Sequence, residues 1–201
     1  MKIGIIADIH SNLPCLRAVL ESIPPVELLL CAGDMIDRYY APDEVFDLLE
    51  QYHVQSIQGN HEDGIFAYYH VQKNGAPTQR VLKCIVSAPE KLEIQLNGKR
   101  LLMVHGSPWN YRKEYLYPES DKLPLLAALG FDFVILGHTH VPMVKNLSGV
   151  TIINPGSCGQ PMLSDPRPSY ALLDSETGEA SIQYLSVYLP EEQLRYYYPL
   201  R

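Results

Sequence analysis

Among the side chains of this sequence that can bind transition metals or move protons, eight stand out by position: Asp8, His10, Asp34, Asn60, His61, His105, His138 and His140. They recur at one kind of position. Val134-Ile-Leu-Gly-His-Thr-His140 is the clearest case, an apolar run closed by a glycine and then two histidines. Such a run reads as a buried strand. Its two imidazoles then sit at the carboxyl end, where α/β folds keep their ligands. On this stretch alone, ordinary loop histidines are an equal reading. The balance tips because the same arrangement appears in Asp8-x-His10, Gly33-Asp34-x-x-Asp37, Gly59-Asn60-His61-Glu62 and His105-Gly106.

Carboxylate, imidazole and carboxamide without thiolate suit Mn²⁺, Fe²⁺, Zn²⁺ or Ni²⁺. The set is too large for one ion, and about four donors each would furnish two. Two ions ~3.5–4 Å apart are the usual device for hydrolysing phosphate esters. One carboxylate must then lend an oxygen to each cation, and Asp34 is the candidate.

The elements that position these groups follow from the pattern. Lys2–Ala7 reads as a first strand. Asn12 is placed to cap a helix over Leu13–Ser22, with Pro14 in its first turn and Leu16, Val19 and Leu20 at helical spacing. Glu27–Ala32 is a second strand. Pro42 introduces a helix with Val45, Phe46, Leu48, Leu49 and Tyr52 on one face, and Val54–Gln58 is a shorter strand. Ile65–Val71 and Thr78–Val86 read as helices. Lys91–Leu96 and Arg100–Val104 flank Asn97-Gly98, a two-residue hairpin signal of the type I′ kind. Ser107–Lys122 reads as a surface loop and Leu123–Leu129 as a short helix ended by Gly130. After His140 come four short strands, Val141–Leu147, Val150–Asn154, Ser169–Asp174 and Ser181–Tyr188, expected to form an antiparallel sheet. Leu189–Arg201 reads as a tyrosine-bearing docking tail.

Composition excludes several classes. The chain has 201 residues, 46% hydrophobic and 19% charged, the balance of a globular protein, and residues 1–201 read as one domain. A net charge of -7 without a dense Lys/Arg cluster argues against a long nucleic-acid footprint. No apolar run is long enough to span a bilayer. Cys15, Cys31, Cys84 and Cys158 are scattered without a C-x-x-C pair, which reads as reduced thiols. The expected location is the cytoplasm.

The five motifs, in this order and followed by Asn154-Pro155-Gly156-Ser157, resemble those of calcineurin-like metallophosphoesterases, in particular the small bacterial and archaeal phosphodiesterase branch. The resemblance runs from Asp8 to about Asp174. It departs at Glu62, where many relatives carry aspartate. It implies an α/β fold of two facing mixed β-sheets flanked by helices, a four-layer αββα sandwich with the site at the strand ends. It also implies two divalent transition-metal ions, Mn²⁺ foremost, with Ni²⁺, Fe²⁺ or Zn²⁺ as substitutes.

Carried over position by position, the resemblance makes Asp8, His10 and His140 ligands of the first ion. Asn60, His105 and His138 serve the second, Asp34 bridges, and a bridging hydroxide attacks phosphorus. His61 is left off the metal, facing the leaving group as acid or as a positive charge. Asn12 divides evenly between helix cap and phosphate contact. Arg38 and Arg112, beside motifs but in none, are candidates for substrate binding. Asp37 serves equally as a solvated loop residue or as a partner orienting a histidine, and His53 and His70 read as plain positions.

The implied activity is hydrolysis of a small phosphoester, a phosphodiester first. The alternatives are a phosphomonoesterase or nucleotide phosphatase, and a non-catalytic scaffold such as the retromer subunit that resembles this branch. Homo-oligomerisation is left open.

Overall fold

The computed structural model describes residues 1–37, 42–67, 77–162 and 164–186. Arg38, Tyr39, Tyr40, His70 and the tail from Leu189 therefore lie outside the described residues.

Two five-stranded sheets face each other. The first runs β10-β9-β1-β2-β3 and the second β4-β5-β6-β8-β7, with β1 Lys2–Ile6, β2 Leu28–Cys31, β3 Gln55–Ser56, β4 Lys91–Leu96, β5 Lys99–Val104, β6 Phe133–Ile135, β7 Met143–Leu147, β8 Val150–Asn154, β9 Ser169–Asp174 and β10 Ala180–Tyr184. Both sheets are mixed. β1 pairs in parallel with β2 and antiparallel with β9, while β6 lies parallel between β5 and β8.

Strand alternation explains the sandwich. Ile3, Ile5, Leu30 and Ala171 from the first sheet meet Leu101, Met103, Phe133 and Ile153 from the second in one fully buried cluster. The opposite face of the first sheet packs under α1 (Leu13–Ser22), α2 (Asp43–Gln51) and α4 (Gln79–Ser87), through Leu16, Val19, Phe46, Leu49 and Ile85. The outer face of the second sheet is covered more thinly. There Leu123 and Leu126 of a 3₁₀ segment, Leu123–Leu129, pack on Val134 and Ile152 together with Leu116 of the preceding loop.

Local chemistry sets the boundaries. Asn12 caps α1 by accepting the Cys15 N–H at 3.3 Å, and Pro14 occupies its first turn. Asn97 and Gly98 carry φ of 46° and 89°, the positive pair that a tight hairpin needs. Gly130, at φ 74°, ends the 3₁₀ segment.

Two expectations are corrected. The strands after His140 do not form one antiparallel sheet. β7 and β8 close the second sheet, with β8 parallel to β6, whereas β9 and β10 cross to the free edge of β1. The crossover is the Pro155–Pro168 stretch, tied to the β1 end by Cys158 N–H to Ala7 O at 2.9 Å and Gly159 N–H to Asp8 O at 3.0 Å. Secondly, Asn60 and His61 belong to the first turn of α3, Asn60–Ala67, rather than to a loop before a helix at Ile65. The helix starts early because its end is capped from both sides. The Asp34 carboxylate accepts the His61 N–H at 2.8 Å, and Glu62 reaches back to the Gly59 N–H at 2.6 Å.

Candidate metal centre

β1, β2, β3, β5 and β6 all end at one edge of the sandwich, and each delivers one motif there. The chain turns sharply as it does so. Nine non-glycine residues have positive φ among those described, and five of them are Asp8 (54°), His10 (47°), Asp34 (52°), His138 (69°) and His140 (56°). A left-handed conformation costs ~1–2 kcal/mol for a residue with a Cβ, so the surrounding structure must impose it. Backbone bonds do this. Asp8 N–H donates to Gly33 O at 3.1 Å, and Ile9 and His10 N–H both donate to Asp34 O at 2.8 and 3.1 Å.

All seven proposed ligands and His61 converge here. His140 Nε2 stands 3.6 Å from Asp8 Oδ1 and 3.0 Å from His10 Nε2. His105 Nε2 stands 3.3 Å from Asp34 Oδ2, 3.1 Å from Asn60 Oδ1 and 3.1 Å from His138 Nδ1. Asp34 lies between the two groups, with His10 Nε2 at 3.8 Å and His61 Nε2 at 3.9 Å from its Oδ2. Ligand atoms close enough to share an ion fall into Asp8–His10–His140, Asp34–His105–His138 and His10–Asp34–His61.

These residues fit divalent cations on chemical grounds. His105 Nδ1 and His140 Nδ1 each lie 2.7 Å from a backbone carbonyl, those of Ala32 and Gln160. Their N–H groups are therefore spent there, and in the neutral tautomer each Nε2 presents a lone pair to the cluster. Imidazole nitrogens facing each other at 3.0–3.1 Å are about as far apart as two nitrogens held at ~2.1 Å by a common ion. His10 Nδ1 and His138 Nε2 are buried without a hydrogen-bond partner.

The electrostatics of the metal-free protein point the same way. Burial pushes the Asp8 carboxyl up to about 6 against the pull of His140 and His105. Burial also opposes ionisation of Asp34, but the His105 imidazole outweighs it and holds Asp34 well below the usual carboxylate range. Burial lowers His105, yet the Asp34 carboxylate prevails and raises it to about 10. His138 falls to about 3 through burial and the neighbouring His105 charge.

Glu62, the motif position expected to play a supporting part, holds the site from behind. It is fully buried and accepts the N–H groups of Asp34, Met35, Ile36 and Gly59 at 2.6–3.2 Å, holding the β2 loop onto α3. Burial drives its carboxyl up to about 7 against the pull of these amides. Gly59 leaves no room for a side chain, because a Cβ there would collide with the Asp34 carboxylate. From beneath, Asn154 donates to Gly137 O at 2.7 Å, and Ser157 Oγ donates to Asp8 O at 2.7 Å. The backbone partners Ala32 O and Gln160 O leave no trace in side-chain identity.

The remaining candidates divide. Asn12 is buried, and its carboxamide accepts the Cys15 N–H and donates to Gly159 O at 2.7 Å, tying the start of α1 to the crossover loop. Asp37 donates its backbone N–H to Ser11 Oγ at 2.9 Å. Arg112 lines a cleft of about 440 Å³ with Asn60, Asp63, Lys113, Tyr115 and His138. Its guanidinium is held by Asp63 at 2.6 Å and Glu90 at 3.2 Å.

Comparison with known proteins defines the class. The model of the calcineurin-like phosphoesterase superfamily domain matches residues 1–178, and the chain belongs to that superfamily. It is similar to a probable metallophosphoesterase of Methanothermobacter thermautotrophicus, at 29% identity over 190 residues, 90% of this chain and 91% of that protein. Phosphodiesterase YfcE of Escherichia coli is 27% identical over 188 residues, 88% of this chain and 89% of its own. The crystal structure of a metallophosphoesterase from Sphaerobacter thermophilus superposes with a TM-score of 0.74 at 28% identity, covering 98% of this chain and 94% of that one. The two-sheet fold with flanking helices is that of these structural neighbours. Among the described residues no helix is long and apolar enough to cross a membrane.

Proposed function

We propose that this protein hydrolyses a small phosphodiester at a two-ion centre. Asp8, His10 and His140 hold the first ion, Asn60, His105 and His138 the second, and Asp34 both. The observation that carries this reading is the pair of donor groups, Asp8–His10–His140 and Asp34–His105–His138, set side by side with the Asp34 carboxylate at their junction. When bound, the two ions supply the positive charge on the phosphoryl oxygens and the activated water of a two-metal hydrolysis.

The chain's own residues do the rest. Asn60 contributes a neutral oxygen, which limits the negative charge facing an anionic substrate. His61 is fixed through its backbone N–H to Asp34 Oδ1, and its ring lies edge-on to His10 with centroids 4.5 Å apart. With 20% of its side chain exposed, it stands on the solvent side of the cluster, where a leaving group departs. Its imidazolium gives that alkoxide a proton.

Arg112 favours a diester over a monoester. A monoester arrives as a near-dianion and calls for a cationic clamp beyond the metals, whereas this guanidinium is already matched by two carboxylates. Manganese is the first ion to try, on the preference of mixed carboxylate and imidazole sites. We also read the chain as one metallophosphoesterase domain working in the cytoplasm, a compartment in keeping with four free cysteines.

The test is turnover by protein stripped of metal and refilled with Mn²⁺, Ni²⁺ or Zn²⁺. Bis-nitrophenyl phosphate should be cleaved with a higher kcat/KM than nitrophenyl phosphate. The reverse order, abolished by Arg112→Ala or Lys113→Ala, would make this a monoesterase.

A further inference from the structure

The ligand imidazoles are not held alike. His105 and His140 turn their outer nitrogen onto backbone carbonyls, each at 2.7 Å. Partners of that sort fix the tautomer and the orientation of a ligating ring. His138 lacks one. Its Nδ1 faces His105 Nε2 at 3.1 Å, while its Nε2 is buried without a hydrogen-bond partner. It has an aromatic cover instead. The Tyr115 ring lies almost parallel to the imidazole, with centroids 3.7 Å apart and 20° between the planes.

Tyr115 is delivered there by a well-anchored loop. Gly106 N–H donates to Tyr111 O at 2.8 Å, and Glu114 accepts the Ser107 hydroxyl and the Lys122 ammonium. On the other side Leu116 is buried beneath the second sheet. Flanked by these anchors, Tyr115 is itself 48% exposed. Its ring also stacks on Tyr117, with centroids 6.0 Å apart and 11° between the planes, which fixes it face-on to the His138 imidazole.

We propose that Tyr115 is a positioning residue for the second ion. By stacking on His138 it holds that ring with Nδ1 toward His105 and Asp34, in place of the hydrogen bond that His105 and His140 possess. The inference rests on the two-ion reading above.

The test is calorimetric titration of metal-stripped protein with Mn²⁺, with bound metal counted by elemental analysis. Tyr115→Ala and Tyr115→Leu should weaken one of the two ions by ~10–100-fold, the usual cost of losing an outer-shell partner, and leave the other unchanged. Tyr115→Phe, which keeps the ring, should bind both as the parent does. The effect should also vanish once its target is gone: His138→Ala with Tyr115→Ala should bind no more weakly than His138→Ala alone.

Parent affinities for both ions in Tyr115→Ala and Tyr115→Leu would overturn the inference. So would equal weakening of both ions, or losses that add in the double variant, since either indicates a general structural role. A parent protein that binds a single ion would overturn the two-ion reading itself, and this inference with it.

Discussion

The two ends of the sandwich use the same unusual backbone conformation for different ends. At the far edge, Asn97-Gly98 and Ser148-Gly149 have positive φ at both positions and close hairpins. A Cβ on Gly98, Gly149 or Gly178 would meet nothing within 4 Å. At the site edge, positive φ falls on Asp8, His10, Asp34, His138 and His140, and the glycines beside them are hemmed in. A Cβ at Gly33 would come within 2.8 Å of His105 Nδ1. Turns at the far edge serve the chain locally. At the site edge the strain belongs to residues brought together from across the sequence, and packing between loops maintains it.

Glycine substitution separates the two ends. Gly59→Ala should abolish tight binding of both ions and lower stability by more than about 3 kcal/mol, because the added methyl overlaps Asp34. Metal content together with urea unfolding would report both effects. Near-normal metal binding in this variant would contradict the close packing on which the account depends.

His61→Ala tests the site edge without disturbing its frame. Metal stoichiometry should be unchanged while kcat falls ~10²–10⁴-fold, the range of general acid help. The deficit should be greater for alkyl esters than for nitrophenyl esters, whose leaving groups need no proton. Equal losses on both would assign His61 to charge stabilisation rather than proton donation.

A smaller effect concerns protons. In the metal-free protein the Asp34 carboxylate overcomes burial and raises His105 to about 10. At pH 7–8 the ring is therefore protonated, and an incoming ion must displace that proton. Binding should release about one proton from this site, and affinity should rise with pH until it levels off near the His105 value. Titrations in buffers of different ionisation heat would count the protons. Affinity independent of pH across this range would contradict the coupling.

The smallest effect belongs to the far edge. Gly149→Ala should cost only the ~1–2 kcal/mol of a left-handed alanine, with kcat and metal content unchanged. An effect on metal binding would show that the two ends are coupled.

The same contrast sets what the sequence made legible. Asn97-Gly98 is a local signal, as is a histidine pair after Val-Ile-Leu-Gly, and both could be read without coordinates. The order of motifs points Asp8, His10, Asp34, Asn60, His105, His138 and His140 to one edge, and their side chains lie near one another there. Long-range decisions were hidden. Nothing in Pro155–Pro168 announces that it crosses from one sheet to the other, since its anchors are the backbone atoms of Ala7 and Asp8. Glu62 reads as a supporting residue of its motif, but the four amides from two loops that its side chain ties together could not be named. Tyr115 sits in a loop without periodicity, three residues beyond the Arg112 that drew notice, and its stacking on His138 spans a separation no local pattern encodes.

The central claim is that one carboxylate joins two ions, and Asp34→Asn tests it most directly. The change preserves shape and removes the negative charge both cations share. Elemental analysis of the purified variant, beside the parent loaded under identical conditions, should find two ions per chain in the parent and one or none in the variant, with activity lost in parallel. Two tightly bound ions in Asp34→Asn would contradict the bridge.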